Sequence, residues 1–447
     1  QIQWFRIWKV ISDYLVEVGS NKSPLIAEKA IDSLRQLSRK FLLKEELSMY
    51  HFQKEFLQPF ELIFLDNSDV YRIKEYVITC VNTLVLQEVK YIRSGWIVIF
   101  NLFSQAAEDN SIDIVKKSFD TVVKVFSSNF MLVREVFPEL ANCLTKYSHH
   151  FPEDVINLFF NCHHYLEDLQ HVHSLFMSLS YIVLDDRESI RKLAVVTLFN
   201  LVNKLIAKFS ASYWEVFFSE IIFRLCQTIK LSKTSSTLES LLIEVCELFY
   251  KYYPSVGFML EDFMEELIDT VINVNESVAL AGLETLKYTI IKLHSVKDEK
   301  FWSTICITIS ELFNKTNQVE LLSLDMTKLL NEEYQQSYQE IIYRNIVYCI
   351  IQHNLIELCE SVFLHNYLHL ITTSECFIIL NSLKNSFTIA YKFNCAFLLR
   401  KQISIQYMSD LNQVAALFKQ QQDGTGLYFR LLLKIFFFEA NDRFEEM

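Results

Sequence analysis

Cys162, His163, His164, His171 and His173 are the densest set of metal-ligand side chains in the sequence. Zinc accepts imidazole and thiolate at tetrahedral positions, so these residues are the starting point for a helical metal-dependent hydrolase. Their spacing argues against one. His163 and His164 are adjacent and leave a helix on different sides, no second cysteine is near, and the glutamate of a His-Glu-x-x-His arrangement is missing. They read instead as helix-end and connection histidines, and no metal or cofactor is expected. Glu261, Asp262, Glu265, Glu266 and Asp269 repeat at helical spacing and describe one acidic, solvated face suited to a basic partner. General acid and base work needs carboxyls in contrasting environments, which a uniform row does not supply. Gly424-Thr425-Gly426 lacks the Lys and Ser or Thr of a phosphate-binding loop and reads as a break between two helices. The chemistry-bearing residues therefore point to binding and not to catalysis.

The elements that would present such a surface follow from composition. Of 447 residues, 51% are apolar and 21% charged, while only 6 Gly and 5 Pro interrupt the chain. Few turn residues favour long helices with short connections and leave too little punctuation for a sheet-rich fold. The 37 Phe and 21 Tyr imply helices held by packing of amphipathic faces more than by intrinsic propensity. A net charge of −12 argues against non-specific nucleic-acid binding. The ten cysteines are scattered singly and read as buried thiols of a reducing compartment. Gln1 opens without a targeting signal, so the chain is expected to be cut from something longer. No uninterrupted apolar run reaches the roughly 20 residues of a membrane span, which suggests a soluble or peripheral protein.

Trp4, Ile7, Trp8, Ile11, Tyr14, Leu15 and Val18 share one helical face; Gly19 and Asn21 end that helix, and Ser23 and Pro24 can cap and open the next. Similar second helices are expected over 71 to 87, 112 to 130, 187 to 208 and 277 to 293, with hidden units at 152 to 167 and 235 to 253. The period of about 40 to 45 residues is that of HEAT and armadillo repeats, so the fold class is all-α, a HEAT/armadillo-like helical-repeat solenoid. Stacked helix pairs produce an extended surface for partners. The expected division is 1–147, 148–330 and 331–447, with Asn331 to Gln339 as a polar joint.

On the second helix, Arg35, Arg39, Lys40 and Lys44 form a candidate partner-binding face for an acidic surface. The alternative is internal pairing, such as Asp32 with Arg35 three residues apart. Near the C-terminus, Leu427 to Phe438 is apolar on nearly every side, broken only by Arg430 and Lys434. It predicts a helix covered all round by a following repeat, by self-association or by a membrane.

The stretch Ala30-Ile31-Asp32-Ser33-Leu34-Arg35-Gln36-Leu37-Ser38, then Phe52-Gln53-Lys54-Glu55-Phe56-Leu57-Gln58-Pro59-Phe60 and Arg93-Ser94-Gly95-Trp96, closely resembles the brefeldin A-inhibited Arf exchange factors, the BIG or Sec-seven family. The likeness runs through residues 1 to about 130 and continues more weakly and in order to 438. Asp32, Ser33, Leu34, Gln36, Phe52, Gln53, Phe56, Pro59, Phe60, Gly95 and Trp96 carry it and read as structural. In that family such stretches follow the exchange domain, and no Phe-Arg-Leu-Pro-Gly-Glu-like segment with a catalytic glutamate occurs here. The resemblance implies a regulatory region acting at Golgi or trans-Golgi network membranes, in recruitment, autoinhibition, self-association and sensing of Arf or Rab GTPases. Its alternative is a HEAT scaffold of a related Golgi protein without exchange activity.

Overall fold

The computed structural model describes residues 2–44, 52–67, 69–232, 234–295, 299–324, 332–407 and 416–445. All regular structure among them is helical. The chain clusters into two compact units, Gln1–Ser210 and Ala211–Met447.

The first unit is five antiparallel helix pairs: α1 Ile2–Gly19, α2 Pro24–Leu42, α3 Phe52–Asp66, α4 Tyr71–Glu88, α5 Trp96–Ala107, α6 Ile112–Val133, α7 Phe137–Tyr147, α8 Pro152–Cys162, α9 Leu169–Ile182 and α10 Glu188–Leu205. Odd-numbered helices stack on one another in order and even-numbered helices do the same, giving two layers with the core between them. This is the helical-repeat arrangement that the apolar spacing predicts. The helix at 152 to 162 is the first hidden unit. Pro24, Pro138 and Pro152 sit in the first turns of their helices, where a missing N–H costs nothing. Ser23 occupies the N-cap of α2, but its hydroxyl makes no capping bond. Asn21 holds the turn instead, its side-chain oxygen accepting the Ser23 N–H at 2.9 Å.

Between α9 and α10 the guanidinium of Arg191 donates to the carbonyls of Asp185 at 2.9 Å and Asp186 at 2.7 Å, so the second helix of the pair clamps its own turn. Asp185 accepts from the Arg187 backbone and side chain, and these bonds hold its carboxyl below the usual range.

The second unit begins with α11 Ala211–Val216 and α12 Arg224–Ser232, joined by the π-helical turn Phe217–Phe223. It continues with α13 Ser235–Val256, the second hidden unit, then α14 Leu260–Val271, α15 Glu276–Leu293, α16 Glu299–Lys315, α17 Val319–Leu322, α18 Glu332–Cys359, α19 Thr373–Cys395, α20 Phe397–Tyr407 and α21 Phe418–Glu445. Asn275 caps α15, and Thr372 with Glu375 forms a reciprocal capping box on α19.

Two expectations fail here. Residues 332–339, read as a joint, are the opening turns of α18, consistent with the good helix propensity of Glu and Gln; Asn331 lies outside the described residues. Gly424-Thr425-Gly426 is not a break, because α21 runs through it. A Cβ on Gly424 would lie 3.4 Å from Phe387 and 3.5 Å from Ile356, so close packing on α19 and α18 outweighs the ~1 kcal/mol helix penalty of glycine. Within this chain the C-terminal helix is covered on one side: Leu427 and Leu431 are buried, while Phe429, Leu433, Phe436 and Phe437 are exposed. Arg430 pairs with Glu360 at 2.5 Å and Lys434 donates to the Leu364 carbonyl, which orients the bare side outward. One stretch, Gln336–Leu370, is long and apolar enough to cross a membrane by length and composition, but half of its most apolar window is buried within the unit.

A polar cluster lies in the second unit's core. Gln352 is fully buried and donates to the Phe313 carbonyl and to the Thr316 hydroxyl, both at 2.9 Å, while accepting from Ser386 at 2.6 Å. Gln420 of α21 donates to Gln318 at 3.1 Å and to the Ser386 hydroxyl at 3.0 Å. Such a network fixes how α16, α18, α19 and α21 align, since an apolar core would tolerate sliding. Gln352→Ala removes one hydrogen-bond partner from each of the Phe313 carbonyl and the Thr316 and Ser386 hydroxyls and is expected to cost about 2–3 kcal/mol. Hydrogen exchange in α16 and α18 should accelerate accordingly; unchanged protection would show the network to be dispensable.

Candidate partner-binding surface

The basic face proposed from sequence is largely spent on internal bonds. Asp32 accepts from Arg35 at 2.7 and 3.1 Å and from Gln36 at 2.8 Å, and these hydrogen bonds, Arg35 first, lower its carboxyl pKa. Arg35 is correspondingly raised by its bond to Asp32. Ser33 donates to the Lys29 carbonyl and Leu34 is fully buried. Arg39 of α2 reaches Glu88 of α4 at 2.7 Å, joining two successive repeats. Lys40 and Lys44 alone of the four cations are exposed and have no ion-pair partner among the described residues.

The remaining motif residues build the joint on which this surface rests. Pro59 lies inside α3, so the Glu55 carbonyl loses its i+4 backbone donor. The Trp8 indole N–H fills that vacancy from α1, donating to the Glu55 carbonyl at 3.0 Å. One residue on, the buried Ser38 hydroxyl of α2 donates to the Phe56 carbonyl at 3.0 Å. The Phe56 ring stacks on Phe41 at 4.3 Å and meets Trp8 edge-on at 4.8 Å, and Phe60 is buried beside them. Phe52 opens α3, its side chain lying outside the described residues.

Gln53, 1% exposed, ties α3 to the next corner by donating to the Tyr91 carbonyl at 2.7 Å and accepting from the Arg93 and Gly95 N–H groups at 2.6 and 3.3 Å. A Cβ on Gly95 would come within 2.6 Å of Leu57, which explains glycine there. Trp96 follows, buried and stacked on Phe100. Leu34, Gln53, Phe56, Pro59, Phe60, Gly95 and Trp96 are thus understood through buried positions, while Asp32, Ser33 and Gln36 make partly or fully exposed hydrogen bonds within α2.

Other charges also stitch neighbours together. Arg72 pairs with Glu28 at 2.6 Å, Lys117 with Glu75, and Lys146 with Glu108 at 2.6 Å. Lys74 and Asp109 form a buried pair at 2.5 Å. In the second unit Glu266 is not part of the solvated acidic row: it is buried, pairs with Lys230 at 2.6 Å, and burial raises its carboxyl pKa. Glu261, Asp262, Glu265 and Asp269 are exposed.

His163 donates from Nδ1 to the Phe160 carbonyl at 2.5 Å and its ring lies 3.8 Å from His164. Burial, followed by the charges of Lys204, Lys208 and His164, lowers its pKa. No three His, Cys, Asp or Glu side chains converge as a metal site among the described residues. Eight cysteines are buried, with burial pushing Cys80 up to about 11 and Cys143 up to about 12; Cys349 is half-buried and Cys395 exposed, against the expectation that all are buried.

Sequence reasoning missed the pairing of Trp8 with the Pro59 gap, the Lys230–Glu266 pair and the glutamine core. Only the proline inside a helical pattern offered a signal. Trp8→Phe keeps the ring and removes the N–H, and it should destabilise the first unit by about 1–3 kcal/mol in urea unfolding. Adding Pro59→Ala restores a backbone donor and should recover part of that loss. Strictly additive effects would rule out the proposed substitution of one donor for another.

Residues 40–124 match the family model described as Mon2/Sec7/BIG1-like, HDS, and residues 350–446 match the BIG2 C-terminal domain. The human brefeldin A-inhibited guanine nucleotide-exchange protein 1 is 29% identical over 367 residues, covering 72% of this chain and 20% of the relative. Protein 3 of that name from Arabidopsis thaliana is 30% identical over 351 residues, covering 64% and 20%. Protein 4 from the same plant reaches 39% over 152 residues, covering 33% and 9%. This chain therefore spans about a fifth of the length of its first relatives. Among solved structures, yeast importin-β aligns over 97% of this chain and 68% of its own at 11% identity and a TM-score of 0.23, too low for any detailed superposition. With both matched regions in order on one helical-repeat chain, it is similar to the HDS and C-terminal regions of the brefeldin A-inhibited guanine nucleotide-exchange proteins.

Proposed function

We propose that this chain is the non-catalytic regulatory and scaffold region of a large Arf guanine-nucleotide exchange factor, serving membrane recruitment, autoinhibition and small-GTPase sensing in Golgi vesicle trafficking. The observation that supports it most is the order of the two family regions, 40–124 and 350–446, on a single helical-repeat chain. Its partners are then small GTPases of the Arf or Rab type, with self-association as a further mode. Its location is cytoplasmic and peripheral to Golgi or trans-Golgi network membranes. Arg35 and Arg39 act within the scaffold in this reading, which leaves Lys40 and Lys44 as the contact residues of the original four.

A second reading, a related Golgi scaffold without exchange activity, is favoured by the first family model, whose description covers Mon2 as well as Sec7 and BIG1. An exchange assay on the protein from the complete reading frame separates the two. For the leading reading, the chain should be retained by GTP-loaded and not GDP-loaded Arf or Rab, and Lys40→Glu with Lys44→Glu should weaken that retention. Equal capture in both nucleotide states, or none by a well-folded chain, overturns it.

A further inference from the structure

Charge closes the corners of the first unit where neighbouring helix pairs turn. Lys74 of α4 is held at 2.5 Å by Asp109, in the turn after α5. Lys146, the penultimate residue of α7, reaches Glu108 in that same turn at 2.6 Å. The following corner departs from the pattern. Tyr181 is the penultimate residue of α9 and so stands where Lys146 stands in α7. Its hydroxyl meets no carboxylate but lies 3.3 Å from Nε2 of His149, in the turn after α7, with the two rings edge-on at 6.0 Å. This corner stays open. A cavity of about 230 Å³ separates the two turns, with His149, Tyr181, Leu184, Asp185 and Asp186 among its walls. It is smaller than the roughly 300–1,000 Å³ of pockets that take drug-sized ligands, and its size suits a single side chain.

The two turns and the opening turns of α8 and α10 carry five carboxylates, Glu153, Asp154, Asp185, Asp186 and Glu188, against three cations, Arg187, Arg191 and Lys192. All three cations are held by the corner itself. Arg187 bonds Asp185 at 2.8 Å and the Ser148 and His149 carbonyls at 3.3 Å, Arg191 bonds the Asp185 and Asp186 carbonyls, and Lys192 pairs with Glu188 at 2.7 Å. Asp186 and Glu153 lie within electrostatic reach of Arg187, yet both are exposed and neither has an ion-pair partner among the described residues. Acids at helix starts offset the helix dipole, which accounts for Glu153, Asp154 and Glu188. The dipole does not account for Asp186, nor for a cavity walled by a Tyr181 ring that is 47% exposed and a Leu184 side chain that is 39% exposed.

A guanidinium answers each of these features. Its plane lies on the face of a tyrosine ring, its fork of N–H donors matches a carboxylate such as Asp186, and its methylene stem covers an aliphatic wall such as Leu184. An ammonium supplies the charge without the plane, and a neutral or anionic group leaves the carboxylates unanswered. We infer that this corner is a docking pocket for an arginine side chain on a basic segment of a partner protein. The inference goes beyond the GTPase-sensing reading and does not rest on it, because Lys40 and Lys44 take no part.

The test titrates the 447-residue chain, by fluorescence anisotropy, with a labelled peptide alternating glycine and arginine, and with its lysine and citrulline counterparts. The arginine peptide should bind best, the lysine peptide more weakly and the uncharged citrulline peptide least. Asp186→Asn with Glu153→Gln should weaken the arginine peptide by about tenfold. Tyr181→Leu, which leaves the charge unchanged, should weaken it by about two- to fivefold, while Tyr181→Phe keeps the ring and should retain binding. Tyr181→Lys installs the residue type found at 146 and should close the site to the peptide. Circular dichroism checks that each variant is folded. Glu261→Gln with Asp262→Asn, a charge-matched change in the exposed acidic row of the second unit, should have little effect. Equal binding of the arginine and citrulline peptides, equal loss from the two acidic pairs, or full binding by a folded Tyr181→Leu chain overturns the inference.

Discussion

A helix pair with apolar residues on both of its sides can satisfy only one of them internally, so each pair must use the next as part of its core. That constraint governs the rest of the molecule. The ring trio of Trp8, Phe41 and Phe56 takes one member from each of three successive helices, and no single pair contains it. Hydrophobic stacking alone would leave the register loose. Polar bonds at fixed places remove that freedom: Trp8 to the Glu55 carbonyl, Ser38 to the Phe56 carbonyl, and Gln53 to the corner at Tyr91 and Gly95.

Charge serves the same purpose before any partner is considered. Glu28 with Arg72, Glu75 with Lys117, and Arg39 with Glu88 cross from one repeat to the next, and the buried Lys74–Asp109 and Lys230–Glu266 pairs do so with little solvent access. Partly exposed pairs of this sort contribute modestly, and the buried ones repay their desolvation chiefly by specifying a geometry. A positively charged helix face is therefore a poor guide to binding until internal pairing is subtracted. After subtraction, Lys40 and Lys44 are what remains of the basic face on the second helix, exposed and without an ion-pair partner among the described residues.

In the second unit the aligning device is different. Buried glutamines at 318, 352 and 420 and the hydroxyls of Thr316 and Ser386 connect helices far apart in sequence, and the C-terminal helix is drawn in by Gln420, Leu427 and Leu431. Its other side stays bare because Arg430 and Lys434 are engaged on the π-helical turn Glu360–Tyr367 that continues α18.

Apolar periodicity determined the all-helical repeat and even the two units concealed at 152 and 235, because a helix buries residues at local spacings that a single chain displays. The motif spanning Asp32 to Trp96 likewise pointed, by its order, to the relatives that the comparisons match. Tertiary structure decided what each polar residue does. Asp32 with Arg35 is a local pair visible from three-residue spacing, but Arg39 with Glu88, Glu266 with Lys230 and Gln352 with Ser386 are separated by tens of residues and depend on which helices adjoin. The same holds for Gly424, where packing against Phe387 kept a helix running through residues whose local preference is to end it. Local spacing encodes which face of a helix is buried; only the stacked neighbours determine which charges are left over.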